Sequence, residues 1–399
     1  MATHCTSSSS LKDIACKAID GSVDELRAAS HEIWSKPELC YKEHEAHRIL
    51  TSLLKLKGFD VEEHFTLDTA FRARSGDLKA GPNVAIICEY DALPEIGHAC
   101  GHNLIAEAGV AAGIGIRAAL LKRPDLGRLT VLGTPAEEGG GGKVKMIESG
   151  CFADVDFAMM VHPGPHDGLN GDFLSIIELE VTYKGKAAHA AAFPWEGINA
   201  LDAAISAYTA VSMMRQQMKP TWRAHGIITN GGAKPNIIPE KAQLLYYFRA
   251  PNDKELSVLK EKAIAIFHSA AEATGCKVEI RELMENSNLI ANPVLLKYYK
   301  ENAMSFGIKF VPMKGTFSAS TDMGNVSYCV PSIHPMYSIG KTMNHTREFT
   351  KCSDTDHSHK QTIISAKAMA MTAIDVLTTP GLMNEIVKAF QDQLKEGKS

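Results

Sequence analysis

Two rhythms of apolar and polar positions run along this chain. Three short stretches, Asn83 to Tyr90 (NVAIICEY), Leu129 to Gly133 (LTVLG) and Phe157 to Val161 (FAMMV), are almost wholly apolar. Runs of this kind mark strands covered on both faces, as in a parallel sheet. An Ala-rich stretch, Ile105 to Leu121, has helical character and lies between the first two. The resulting β-α-β order predicts an α/β domain with a mainly parallel sheet. Upstream, residues 21 to 57 read as helix, broken at Pro37-Glu38 and stopped by Gly58.

The middle of the chain changes rhythm. Ser175 to Tyr183 (SIIELEVTY) alternates like a half-buried strand. A helix is predicted over Asn199 to Gln217 with Asn199 as N-cap, then strands at Gly226 to Thr229 and Gln243 to Arg249. A helix at Asp253 to Ala273, ended by Gly275, and a strand at Lys277 to Arg281 complete a β-α-β-β-α-β order. That is the order of a split βαβ, ferredoxin-like α+β domain. The pattern therefore predicts a main α/β domain in two parts, 1–174 and 288–399, with the ferredoxin-like domain inserted at 175–287. His359 to Leu377 reads as a closing amphipathic helix.

Composition narrows the class. A chain of 399 residues is long for one core, which agrees with two domains. Apolar residues make up 45% and charged residues 22%, ordinary for a globular protein. A formal net charge of -4 gives no electrostatic case for nucleic acid or an anionic membrane as partner. No uninterrupted apolar run approaches the roughly 20 residues that span a bilayer. Met1 to Leu11 holds a Ser run without an apolar stretch, and reads as a short frayed tail rather than a secretory signal. The nine cysteines are scattered and form no C-x-x-C pair, which predicts a reducing, cytoplasmic location.

The candidate chemistry lies where the apolar runs stop. The first ends at Glu89 and Asp91, the second leads to Glu137 and Glu138, and the third ends at His162. Ligands of such sheets bind outside the carboxyl ends of the strands. After the first run comes His98-Ala99-Cys100-Gly101-His102, whose thiol and imidazole suit a divalent ion. A lone cysteine is more often a small buried hydrophobe, so the ligand reading depends on the neighbouring histidines. Glu137-Glu138 reads either as a solvated acidic turn or as a working pair. In the second reading one carboxylate binds metal while the other moves a proton, as metal-assisted hydrolysis requires. A single histidine such as His162 is commonly structural, and its place at the shared sheet edge makes it a ligand candidate. Periodicity says nothing special about His189 or His345.

The ordered motifs resemble a known family. They are Pro37-Glu38-Leu39, Asp91-Ala92-Leu93-Pro94, His98 to His102, Pro135-Ala136-Glu137-Glu138, Val161-His162-Pro163, Gly185 to Ala190, Gly231-Gly232 with Asn236 and Pro239, Arg249, Ser320-Thr321-Asp322 and His345. Together they are similar to the two-metal exopeptidases and amidohydrolases that include aminoacylase, carboxypeptidase G and the aminobenzoyl-glutamate and auxin-conjugate hydrolases. The resemblance implies two divalent ions, Zn or Mn, held by Cys100, His102, Glu138, His162 and His345. It implies Glu137 as general base and Asp91 as the carboxylate that orients a ligand. The inserted domain then corresponds to a lid and homodimerisation domain. In it His189 would steady the oxyanion in a partner's site, and Asn236 and Arg249 would hold the substrate's terminal carboxylate. The implied reaction is hydrolysis of small dipeptides, β-alanyl or related, with a C-terminal Lys, ornithine or Arg. An N-acyl amino acid or aminobenzoyl-glutamate amidohydrolase is the alternative substrate reading, and a catalytically silent binding or scaffold protein is the alternative of another class. Two positions depart from the pattern: Asn103 stands where relatives usually carry Asp, and Glu89 stands where better-known relatives carry a ligand histidine.

Overall fold

A six-stranded sheet organises the first of two units into which the computed structural model divides, Met1–Asp172 with Leu289–Ser399. The second unit is Phe173–Asn288. The structure describes residues 7–77, 79–313 and 318–398. The strand order of the first sheet is Asp60–Glu63, Phe71–Ser75, Arg128–Thr134, Asn83–Glu89, Phe157–Met159 and Ser332–Ile333. The last four strands run parallel, while the first two form an antiparallel edge. Every residue of Asn83–Glu89 is buried, which explains its unbroken apolar character. Each of its Val and Ile side chains contributes about 1.5–3 kcal/mol on leaving water.

The Ala-rich stretch forms the helix His102–Lys122, which packs on this sheet. By length and composition it could cross a bilayer, although no uninterrupted apolar run suggested this. Its apolar window is 83% buried in the protein, as befits a core helix. The Ser run is not a frayed tail in the described part. Ser7 caps a helix, Ser8–Asp20, by accepting from the Ser10 N–H at 3.3 Å, and Leu11, Ala15 and Ile19 of that helix are buried. The pattern upstream resolves into Val23–Ser35 and His44–Leu56, with the break at Pro37-Glu38 between them.

The second unit carries a four-stranded antiparallel sheet in the order Lys277–Asn286, Ser175–Lys184, Lys241–Ala250, Arg223–Asn230. Two helices, Ala200–Met214 and Asp253–Thr274, pack against it. This is the ferredoxin-like arrangement. Asn199 caps the first helix as expected, accepting from the Leu201 N–H at 3.0 Å. Gly275 stops the second with a φ of +73°. Inward residues Ile177, Leu179, Val181, Leu244, Tyr246 and Phe248 form a core with both helices.

Candidate metal centre

The carboxyl ends of the parallel strands bring the polar residues of the first unit together. Glu89 ends its strand in register with Thr134, which ends the next strand just before Glu137 and Glu138. His162 opens the short strand His162–Gly164 beyond Phe157–Met159. Cys100 and His102 flank the turn that starts the long helix. That turn requires Gly101, whose φ of +82° is left-handed and where a Cβ would lie 2.6 Å from Pro163 Cγ. His345 arrives from a late loop, its φ of +63° fixed by an N–H donated to Ala99 O at 2.8 Å. Gly142 closes the glycine run after Glu138, where a Cβ would meet Pro135 O at 1.8 Å.

Potential ligand atoms cluster in overlapping groups, each within 4.8 Å: Cys100, His102 and His162; Cys100, Glu138 and His345; His102, Glu137 and Glu138. Hydrogen bonds on the far ring nitrogens orient two of the imidazoles. His102 Nδ1 lies 3.0 Å from Asp91 Oδ1, so its Nδ1 proton points at the carboxylate and Nε2 faces the cluster. His162 Nδ1 bonds Pro163 O at 2.7 Å, leaving Nε2 toward Cys100 Sγ at 3.4 Å. The other oxygen of Asp91 accepts from the Glu138 N–H at 2.9 Å. Asp91 thus fixes both an imidazole and the backbone of a carboxylate candidate.

The electrostatics suit a cation. Burial would raise Asp91, but His102 and the Glu138 N–H outweigh it and lower the carboxyl to about 2. Burial and then His102 lower His162 to about 4, so its imidazole is neutral and able to ligate. Burial, Glu89 and Glu138 push Glu137 well above the usual carboxylate range. Burial and Glu138 do the same to the Cys100 thiol, a tendency that a bound cation reverses. His102 Nε2 is buried without a hydrogen-bond partner, yet lies 3.6 Å from Glu89, 3.8 Å from Glu138 and 3.9 Å from Glu137. A buried ring nitrogen without a partner, facing carboxylates and a thiol, is costly unless a cation joins them. The sulfur, imidazole and carboxylate donors therefore fit divalent metal.

Other expectations fall differently. His98 is buried and bonds Ile33 O at 3.1 Å, a structural role. The Asn103 side chain donates to Ser30 Oγ at 3.1 Å and Ser353 O at 2.9 Å, which accounts for an amide there in place of a carboxylate. His189 and Asn236 lie together in exposed loops of the second unit, linked by the Ala190 N–H to Asn236 O at 3.1 Å. His189 Nδ1 accepts from the N–H groups of Ala191 and Ala192 at 3.3 and 3.1 Å. Its proton therefore sits on Nε2. Arg249, half-buried, lies toward the far end of the strand Lys241–Ala250, about 27 Å along it from Lys241 at ~3.4 Å per residue. One chain's second unit thus does not bring Asn236 and Arg249 together.

Sequence reasoning missed Lys143, Asp322 and His334. Lys143 is fully buried, with Nζ 2.5 Å from Glu89 and 2.6 Å from Asp322. Asp322 stood in a matching motif without a role. His334 follows the strand Ser332–Ile333 and is buried with its ring 5.4 Å from that of His162. The only signal available for it was the strand end it follows, and that strand is too short to read from sequence.

Comparison with known proteins fixes the family. Residues 175–275 match the M20 peptidase dimerisation domain. The chain is 49% identical to the mouse Xaa-Arg dipeptidase (Mus musculus) over 97% of its own length and 93% of that protein's. The chain belongs to the M20 peptidase family. It is a metallopeptidase of the amidohydrolase kind, and its centre takes divalent metal. Among other M20 relatives, a p-aminobenzoyl-glutamate hydrolase chain of Escherichia coli is 28% identical over 94% of this chain and 93% of its own. A solved dinuclear metal binding M20 peptidase from Bacillus subtilis shares the fold, with a TM-score of 0.67 at 20% identity, covering 90% of this chain and 99% of that one.

Proposed function

We propose that this M20 peptidase hydrolyses small dipeptides with a C-terminal basic residue, β-alanyl or related, using two divalent ions, Zn or Mn, and working as a homodimer. The single observation that carries the chemistry is the division between Glu137 and Glu138. Glu138 approaches His345 at 3.5 Å within the Cys100–His345 group, while its neighbour Glu137 lies 3.9 Å from His102 with its carboxyl held high. Cys100, His102, Glu138, His162 and His345 would hold the metal. When bound, the ions polarise the scissile carbonyl and lower the pKa of a water. Glu137 takes the proton of the attacking water and returns it to the leaving amine. Asp91 holds His102 in its ligating tautomer.

The substrate-holding groups belong to the second unit. His189 donates its Nε2–H to the developing oxyanion. Arg249 grips the terminal carboxylate with its planar fork, and the Asn236 amide adds a donor. Because Asn236 and Arg249 lie at opposite ends of one sheet, they converge on one carboxylate only when they come from different chains. The match to the dimerisation domain supports such an arrangement. So does the sheet's edge strand Arg223–Asn230, where Ile227 and Ile228 are exposed.

The basic side chain rests on the likeness to the Xaa-Arg dipeptidase, and the amidohydrolase alternative on the more distant aminobenzoyl-glutamate hydrolase. Turnover on a panel of β-alanyl-lysine, β-alanyl-ornithine, acetyl-amino acids, hippurate and aminobenzoyl-glutamate separates them. The proposal expects the basic dipeptides to lead in kcat/KM. A leading acyl amino acid or aminobenzoyl-glutamate would assign the chain to the alternative.

A further inference from the structure

Beside the metal-binding groups lies a fourth set of potential ligands, Glu89, Glu137 and Asp322, also within 4.8 Å of one another. It is entirely carboxylate, a donor set that suits hard ions such as Mn or Mg. Lys143 is committed to this set. Its ammonium is 2.5 Å from Glu89 Oε1 and 2.6 Å from Asp322 Oδ1, and its backbone N–H donates to Asp322 Oδ2 at 2.9 Å. The side chain is fully buried, as are those of Glu89 and Asp322. Lysine is almost never fully buried unless paired, and here it is paired twice. Burial works against its charge, but Asp322 and Glu89 outweigh it and hold the ammonium above the usual lysine range.

We propose that Lys143 is a built-in cation that closes the Glu89–Glu137–Asp322 cluster to metal and so keeps Glu137 free to move protons. A divalent ion captured there would use Glu137 as a ligand and remove the base from the reaction. Lys143 neutralises Glu89 and Asp322 without needing Glu137. It acts through other groups and is a positioning residue. The role accounts for Glu89 at a position where a ligand was expected: one oxygen is committed to the lysine. The inference rests on the two-ion reading above, and metal counting separates the two.

The test is the number of ions per chain, measured by mass spectrometry after chelation, reloading with Mn²⁺ and desalting. The wild-type chain should hold two ions, Lys143→Met three, and Lys143→Met with Glu89→Gln two again. Lys143→Met holding the same two ions as wild type would overturn the inference, whereas a wild-type chain holding none would sink the two-ion reading itself. If Lys143→Met does not fold, Glu89→Gln alone decides. The count should stay at two ions per chain. A count of one would mean that Glu89 belongs to the metal and not to the lysine.

Discussion

The two units carry their candidate functional residues in opposite ways. In the first, Asp91, Cys100, His102, Glu137, Glu138 and His162 converge from strand ends and are buried or nearly so. In the second, His189 and Asn236 are exposed in loops, and Arg249 lies toward the far end of a strand. A pre-arranged, water-poor cluster suits charge chemistry, because electrostatic interactions strengthen as the local dielectric falls. Exposed, separated groups suit holding a substrate that must enter and leave. The contrast teaches that the first unit gathers its candidate chemistry by itself, while the proposed substrate-holding groups Asn236 and Arg249 are not gathered by one chain's second unit.

That contrast can be broken at several points. The largest effect is expected from Glu137→Gln, which should keep fold and metal content but lower kcat by about 10³-fold or more. Near-normal turnover in that variant would end the assignment of the base. His189→Ala should lower kcat by about 10²–10³-fold with metal content unchanged, since it removes the proposed oxyanion donor. Mixed one to one, the Glu137→Gln and His189→Ala chains should recover about a quarter of wild-type activity, because half of randomly assorted twofold dimers are mixed and each holds one intact site. No recovery would place His189 in its own chain's site. Asp91→Asn keeps the shape but loses the carboxylate on His102, and metal affinity should fall about 10–100-fold, as read by chelator competition. The smallest effect is expected from Asn199→Ala, which removes a helix cap from the second unit. It should cost about 1 kcal/mol in denaturant unfolding and leave metal binding untouched.

Legibility followed the same division. The parallel strands were readable because their residues are buried on both faces, and the rule that sites lie at their carboxyl ends pointed to Glu137, Glu138 and His162, which the fold clusters with His102. The ferredoxin-like order was readable because its strands alternate and its helices carry clear stops, Gly275 among them. The Ser run concealed a helix start, since serine serves a cap as readily as a loose tail. Ser332–Ile333 and Met336–Ser338 are too short to show any period, which hid His334. His345 was marked by resemblance alone, because a loop held at positive φ has no periodic signature. Lys143 was the least legible: after a glycine run, a lysine at a helix start reads as solvated, and only the fold brings Glu89 and Asp322 to it. Arg249 and Asn236 were paired by resemblance alone, and their separation, which depends on strand register, was not legible.

The most direct test of the central claim is hydrolysis of β-alanyl-lysine by chelator-stripped protein, followed as Mn²⁺ or Zn²⁺ is returned. The account predicts no product from the stripped protein and a rate that rises with added ion, saturating near two ions per chain. Equal rates with and without metal, or no product at any ion level, would contradict it.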